Sequence, residues 1–313
     1  MATDPPMDWL LTSSEPTVRV LARRFLLGED AALTSTDLQR SPYVRALLHG
    51  QRADGGFGNH PYAKWTGSFW RVIALVELGI PAGEPRAVAA LRHTLPWLAE
   101  PRRHRRGRPV NGLVRQHASG EGFLLAAGCR LGLAYEPGIA DLAERLVDWQ
   151  WPDGGWNCDL NPHARRSSFH ESVPAAWGLQ EFAAATGSSE ARAAAERTGE
   201  LLLEHRLFRS LSTGEVIHPS WVKLHYPAYY HYDVFAGLTL LSRLSVVQGP
   251  RAAEAIDLML QRRRGDGRWQ TGGSWWRPPG SSGSNVEVVD WGRRGPNPML
   301  TLGALRILRA ARR

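Results

Sequence analysis

Gln150-Trp151-Pro152-Asp153-Gly154-Gly155-Trp156 decides how the rest of this chain is read. It has the form Gln-x-x-x-Gly-x-Trp. Ninety-nine residues earlier the same form stands as Gln51-Arg52-Ala53-Asp54-Gly55-Gly56-Phe57, with Phe in place of Trp. A looser third copy is Gln261…Gly267-Arg268-Trp269, two residues longer between Gln and Gly. Asp-Gly-Gly is a turn signal, because glycine enters backbone conformations that side chains resist. An apolar helical run follows each copy. Each copy therefore predicts the end of one helix, a tight turn and the start of the next, and such recurrence predicts a repeat architecture.

Outward from these turns the chain alternates. Residues 66–78, 120–131, 173–185, 234–244 and 298–308 read as helices that are apolar nearly all round. Residues 86–98, 139–149, 190–207 and 252–262 read as amphipathic helices. Residues 6–27 predict two short helices broken at Ser13-Ser14-Glu15-Pro16, with Ser14 as a cap and Pro16 in the first turn. Residues 42–49 predict another short helix ending at Gly50. An apolar-all-round helix must be buried and an amphipathic one covers it. Five or six such pairs closing on themselves give an all-α double ring, an α/α toroid. A linear solenoid would need a polar capping repeat at each end. No linker or composition shift divides the chain, so residues 1–313 are expected to form one domain.

Composition narrows the function classes. The hydrophobic fraction is 43% and the charged fraction 22%, as in a globular protein. No apolar run reaches the ~18 residues of a membrane span, and the first residues carry no targeting pattern, so a cytoplasmic protein is expected. Cys129 and Cys158 are too few for a disulfide framework. The net charge is +8, and the densest basic run is Arg102-Arg103-His104-Arg105-Arg106-Gly107-Arg108. No nucleic-acid motif accompanies it. It reads as a solvated loop, and it leaves contact with an anionic membrane surface open.

The turns, the alternation and the length resemble the terpenoid cyclase and protein prenyltransferase superfamily, in which the Gln-x-x-x-Gly-x-Trp unit is the QW repeat of squalene and hopene cyclases. The resemblance runs from about Trp9 to Leu308. It implies an α/α toroid with a central cavity for an apolar, isoprenoid-like substrate. The Asp-x-Asp-Asp acid motif of the class II cyclases is absent. The Asp-x-Cys of the zinc prenyltransferases is absent too; Tyr230-His231 loosely resembles the segment carrying their zinc histidine. Asn157-Cys158-Asp159 has suitable residue types but is expected on the wrong side of the ring.

Polar segments precede the apolar helices and should meet at one mouth of the ring. They offer His117, Glu121, His170, Glu171, His231 and Asp233, with Trp65, Tyr226, Tyr229, Tyr230 and Trp291 as aromatic lining. Each has a structural alternative. Ser168-x-x-Glu171 is a capping box, and Asp233 caps the next helix. His117 and Glu121 stand one helical turn apart and can pair. Asn297 before Pro298 is a cap. Trp70 and Trp177, inside helices, read as core.

The leading expectation is a terpenoid-cyclase-like enzyme. Asp233 would be the acid or base, relayed by His170, His231 and Glu171, and the remaining residues would bind substrate. Asp233→Asn is expected to stay folded and lose turnover. Two rivals stand beside it. One is a zinc enzyme using His170, His231 and Asp233 or Glu171. The other is a non-enzymatic cage for an apolar ligand. Trp156 is expected to be structural, at the mouth opposite the polar segments.

Overall fold

The computed structural model describes residues 5–100 and 109–312, so the basic run lies outside the described residues. Thirteen α-helices are present among the described residues and no strand, only isolated bridges. In chain order they are α1 (Pro5–Leu11), α2 (Pro16–Ala22, continued by a π turn to Leu27), α3 (Ser35–Arg40), α4 (Pro42–Leu48) and α5 (Ser68–Glu77). Then come α6 (Pro85–Leu98), α7 (Ala118–Arg130), α8 (Pro137–Trp149) and α9 (Phe169–Thr186). The last four are α10 (Ser189–Glu204), α11 (Val234–Arg243), α12 (Pro250–Gln261) and α13 (Pro298–Ala311). None is long and apolar enough to cross a membrane.

The helices form two concentric layers. α5 packs on α7, α7 on α9, α9 on α11, α11 on α13, and α13 on α2; Leu21 of α2 lies against Gly79 just after α5, which closes the inner ring. α4, α6, α8, α10 and α12 lie outside their inner neighbours. α1 packs on both α2 and α13 and completes the outer layer where the chain's two ends meet. Burial follows the sequence pattern. Ten residues of α7 are buried, whereas only Ile139, Leu142, Ala143 and Leu146 are buried in α8. Proline opens α4, α6, α8, α12 and α13 in the first turn, where a missing N–H costs nothing. The cap of α2 is Glu15 rather than Ser14; its carboxylate accepts the Thr17 N–H at 3.2 Å.

The three glycine turns are one device used three times. In the first, Gln51 Nε2 donates to the Gly55 carbonyl (3.1 Å) and to the Arg86 carbonyl of α6 (2.8 Å). In the second, Gln150 Nε2 donates to the Gly154 carbonyl (2.9 Å) and to the Ala194 carbonyl of α10 (2.8 Å). Each turn is thus tied to the next outer helix. Gly154 has φ +91°, and a Cβ there would lie 2.6 Å from the Arg197 carbonyl oxygen, so both conformation and space require glycine.

In the third turn the register differs from the sequence expectation. Gln261 is not the equivalent residue. Arg263 stands four before Gly267, and its Nε donates to the Gly267 carbonyl at 3.0 Å, as the glutamines do to theirs. The backbone pairs agree, with Arg264 N on Arg268 O at 2.9 Å matching Trp151 N on Gly155 O at 2.8 Å. A substituted residue type, rather than an insertion, hid the repeat. The aromatic positions correspond as well. Trp156 and Trp269 donate to the carbonyls ten residues earlier, Leu146 at 2.9 Å and Met259 at 2.8 Å. Phe57, with no N–H, instead lies under the Arg71 guanidinium at 3.9 Å.

Trp156 does not lie opposite the polar segments. Its carbonyl accepts the Ser168 N–H at 2.8 Å, and its own N–H donates to Ser172 Oγ at 3.0 Å, so it sits at the start of α9. In an up-down ring, the end of an outer helix and the start of the following inner helix share one mouth.

Candidate functional site

The inner ring surrounds a cavity of about 170 Å³. Its walls are aromatic: Trp70 from α5, Phe123 from α7, Phe169 and Trp177 from α9, Phe235 from α11, with Tyr226, Tyr229, Tyr230 and Trp291 from loops. Trp65 stacks on Tyr229 at 3.6 Å between ring centroids and holds that ring from behind, and Trp70 meets it edge-on at 5.5 Å. Trp70 and Trp177 are therefore lining residues, although each is only 3% exposed.

Six of the residues singled out from sequence line this cavity: His170, His231, Tyr226, Tyr229, Tyr230 and Trp291. Trp65, His117, Glu121, Glu171 and Asp233 are not among its lining. Asp233 is fully buried behind the wall and its oxygens are committed. Oδ1 caps α11 by accepting the Ala236 N–H at 2.8 Å. Oδ2 accepts the His225 N–H (2.8 Å) and the His225 Nδ1–H (2.9 Å). Asp233 thus orients His225, which does line the cavity. Hydrogen bonds this local, on a residue that already caps a helix, leave no reach for the cavity.

Glu171 does not form a capping box, because α9 begins at Phe169 and Ser168 makes no side-chain cap bond. It reaches across to α7 instead, accepting the Ser119 N–H at 2.8 Å and the His117 Nδ1–H at 3.2 Å. His117 therefore pairs with Glu171 rather than with Glu121. Burial alone would raise the Glu171 carboxyl, but these bonds hold it below the usual carboxylate range.

The two cavity histidines differ in chemistry. His170 Nδ1 accepts the Tyr232 N–H at 2.8 Å, so the neutral ring carries its proton on Nε2. Burial lowers its basicity. His231 is pushed down to about 4, by burial first and then by the charges of His170, Lys64 and His225. It is a neutral imidazole near pH 7 and is stacked on Trp275 at 3.9 Å. His170, His231 and Asp233 do not converge as metal ligands.

Two acids were missed. Glu287 is 4% exposed, faces the cavity and is hydrogen-bonded by the Tyr229 hydroxyl. Burial raises its carboxyl above the ordinary range, against the hydrogen bonds from Tyr229 and the Val288 amide. Glu77 ends α5 and also lines the cavity. Burial raises it too, against the pull of Arg243, Arg130 and Arg306. Glu77 had a sequence signal: an acid at the C-terminus of an apolar helix opposes the helix dipole. Glu287 had none, since it stands in a loop of no periodicity.

One group of possible metal ligands is found among the described residues. His117, Cys158 and Glu171 bring an imidazole nitrogen, a sulfur and a carboxylate oxygen within 4.8 Å of one another. Cys158 thus lies on the polar side of the ring, contrary to the sequence expectation, for the same connectivity reason as Trp156.

No protein-family model matches the chain. No curated protein sequence matches it either. Among solved structures, a protein from Actinoplanes is 17% identical over 99% of this chain and 98% of that one, with a TM-score of 0.43. The type II terpene cyclase MstE from Scytonema is 14% identical, covering 86% of this chain and 96% of that one, with a TM-score of 0.29. A variant of MstE in complex with geranylgeranyl dihydroxybenzoate, described as its substrate, is 14% identical over 86% and 95%, with a TM-score of 0.28. All three are distant likenesses.

Proposed function

We propose that the protein is a terpenoid-cyclase-like enzyme that protonates a small apolar alkene, of isoprenoid type, in the central cavity. The observation that carries this is Glu287: a buried carboxyl of suppressed acidity facing a space lined by aromatic rings. Burial that raises a carboxyl favours its protonated form, the form that acts as a general acid. Aromatic faces stabilise the cation that its proton creates. In the step, the Glu287 O–H bond breaks and a C–H bond forms at the less substituted alkene carbon. The π pair makes that bond and leaves a cation on the more substituted carbon. The cation then loses an adjacent proton to the neutral His231 imidazole and a new double bond forms. His231 then gives its proton to solvent and Glu287 takes one back from solvent, so the cycle balances. His170 is a donor in its neutral form, and its part is to orient rather than to accept. In this reading Glu287 takes the role first given to Asp233, which instead positions His225.

Size limits the substrate. A cavity of ~150 Å³ holds benzene, and drug-sized ligands take ~300 Å³ or more. At about 170 Å³ this cavity suits one or two isoprene units, and squalene is far too large. The test is turnover of C5 and C10 prenyl substrates in deuterium oxide, with products analysed by mass spectrometry. Deuterium is expected at the protonated carbon, and Glu287→Gln should reduce turnover at least ~100-fold. Product formed without deuterium, or by Glu287→Gln at the parent rate, would overturn the reading. Binding without turnover would leave the ligand cage.

A second reading, a zinc enzyme, is favoured by the His117–Cys158–Glu171 group. Nitrogen, sulfur and oxygen ligands with a fourth position open suit zinc, which could polarise a substrate or activate water. Its ligands are outside the cavity lining, so the metal would act at the mouth. Added cobalt should give a thiolate charge-transfer absorption that Cys158→Ser removes. Absence of that band in the parent protein excludes this reading.

A further inference from the structure

The end of the cavity formed by the C-terminal parts of the inner helices has a composition unlike its aromatic walls. Four inner helices each send one charged side chain there: Glu77 from α5, Arg130 from α7, Arg243 from α11 and Arg306 from α13, and Glu181 of α9 stands behind Arg130. Only one close ion pair forms, with Arg130 Nε and Nη2 donating to Glu181 Oε1 at 2.9 and 2.7 Å. Glu181 also accepts the Trp177 indole N–H at 2.8 Å, so its charge is spoken for.

Arg243 and Arg306 make no ion pair with any described residue. The Arg243 guanidinium lies over the Trp177 ring at 4.4 Å, and its buried Nε has no hydrogen-bond partner. The Arg306 guanidinium lies over the Phe25 ring at 3.5 Å. Burial first, and then the like charges of the other arginines, bring Arg243 down to about 10 and Arg306 to about 9.

A structural role for this cluster is weak. Arg130 and Arg243 do end their helices, where a cation complements the helix dipole. That gain needs no third guanidinium and no common cavity. Like charges withdrawn from water are costly unless an opposite charge joins them. The formal balance is three cations against Glu77 and Glu181. Burial also favours the protonated form of Glu77, which leaves the site still more positive. Planar guanidinium forks are suited to the paired oxygens of a carboxylate or phosphate.

We propose that Arg130, Arg243 and Arg306 bind the anionic group of the ligand, a carboxylate or a phosphate, while its apolar body extends toward Trp70, Phe123 and Tyr229. The inference rests on the reading of the central cavity as the substrate site and names the substrate class: an amphiphile with an anionic head and a short hydrocarbon body.

The experiment is titration calorimetry of the full chain with hexyl phosphate, hexanoate and hexanol. At least one anion should bind ~10-fold or more tightly than hexanol, with an affinity that falls as salt rises. Preference for hexyl phosphate identifies a phosphate head, and preference for hexanoate a carboxylate. Arg243→Met should remove that preference and leave hexanol binding intact. Without ligand, its melting temperature should equal or exceed the parent's, because an uncompensated buried charge is gone. Arg306→Lys keeps the charge but loses the fork, and should retain part of the preference. Hexanol binding as well as both anions would overturn the proposal while sparing the cavity reading. No binding by any of the three would count against the cavity reading itself. An anion preference undiminished in folded Arg243→Met and Arg306→Lys would also overturn the assignment.

Discussion

Replacing Trp156 with alanine tests whether the glycine turns hold the ring together. The indole is 1% exposed. A tryptophan buries ~150–250 Å², which at ~25 cal/mol per Å² is roughly 4–6 kcal/mol as an upper bound. Alanine retains a part of that. The bond from Nε1 to the Leu146 carbonyl (2.9 Å) is lost as well, at about 1 kcal/mol. The expected loss is roughly 3–5 kcal/mol, in line with large aromatic truncations. For a chain of this size that is a fall of roughly 5–8 °C in melting temperature. Trp156→Phe separates the two contributions. It keeps most of the ring area, loses the donor, and copies the first turn, where Phe57 stands; it should cost about 1–2 kcal/mol. Urea unfolding followed by far-ultraviolet circular dichroism measures both variants. An alanine variant within ~1 kcal/mol of the parent would refute the structural role. So would one that loses turnover at unchanged stability, since the indole has no contact with the cavity in which the acid–base step is proposed.

Three further outcomes are expected. Asp233→Asn should keep the cap of α11 through its remaining oxygen, yet the new amide group faces two His225 donors, so the variant should lose roughly 2–4 kcal/mol in urea unfolding; unchanged stability would show that the His225 bonds are unimportant. This differs from the near-neutral stability expected from sequence. Burial pushes His231 down to about 4 from 6.5, so the unfolded chain binds the extra proton and stability should fall as pH drops from about 6.5 to 4, by clearly less than the ~3 kcal/mol of a fully buried group because water screens the part-exposed ring. Glu77 and Glu287, whose carboxyls are raised, work in the opposite sense above pH 4.5, and His231→Asn should flatten the acid limb measured by urea unfolding. Arg263→Gln should fold with stability within ~1 kcal/mol of the parent because it restores the glutamine of the other turns, while Arg263→Ala should be less stable than Arg263→Gln; equal values would show that the bond to the Gly267 carbonyl is idle.

The ring was legible because its signals are local. Glycine at φ +91° and a buried indole need particular residue types at fixed spacing, and the apolar/amphipathic alternation sorts inner from outer helices without any knowledge of contacts. The third repeat was legible only as a loose match, because Arg263 performs the glutamine's hydrogen bond with a different side chain. The aromatic half of the cavity was half legible. Tyr226, Tyr229, Tyr230 and Trp291 stand in polar segments before inner helices, and the segment argument found them. Asp233 and Glu171 stand in the same segments but do not reach the cavity, because their carboxylates are consumed by backbone amides and histidines within or across helix starts. Those are contacts that spacing does not reveal.

The charged end escaped sequence reading for a different reason. Polar segments mark the mouth where helices begin and carry no sign of the residues that end them, and an arginine in a last turn is what the helix dipole asks for. Each of Arg130 and Arg243 is unremarkable on its own helix. Their chemistry arises only when the ring closes and brings them to one cavity with Arg306 and Glu77, with Glu181 paired to Arg130 just behind. The result is a cavity with a polarity that no single helix carries. In the functional reading proposed, the two ends constrain each other. An anionic head held by the guanidiniums would fix how far the hydrocarbon reaches toward Glu287, and so which carbon receives the proton. A neutral substrate of the same length would slide in that space, lose positional selectivity and give mixed products. Product homogeneity for anionic substrates against scatter for their neutral analogues is therefore a joint consequence of both ends, which neither the acid nor the arginines would produce alone.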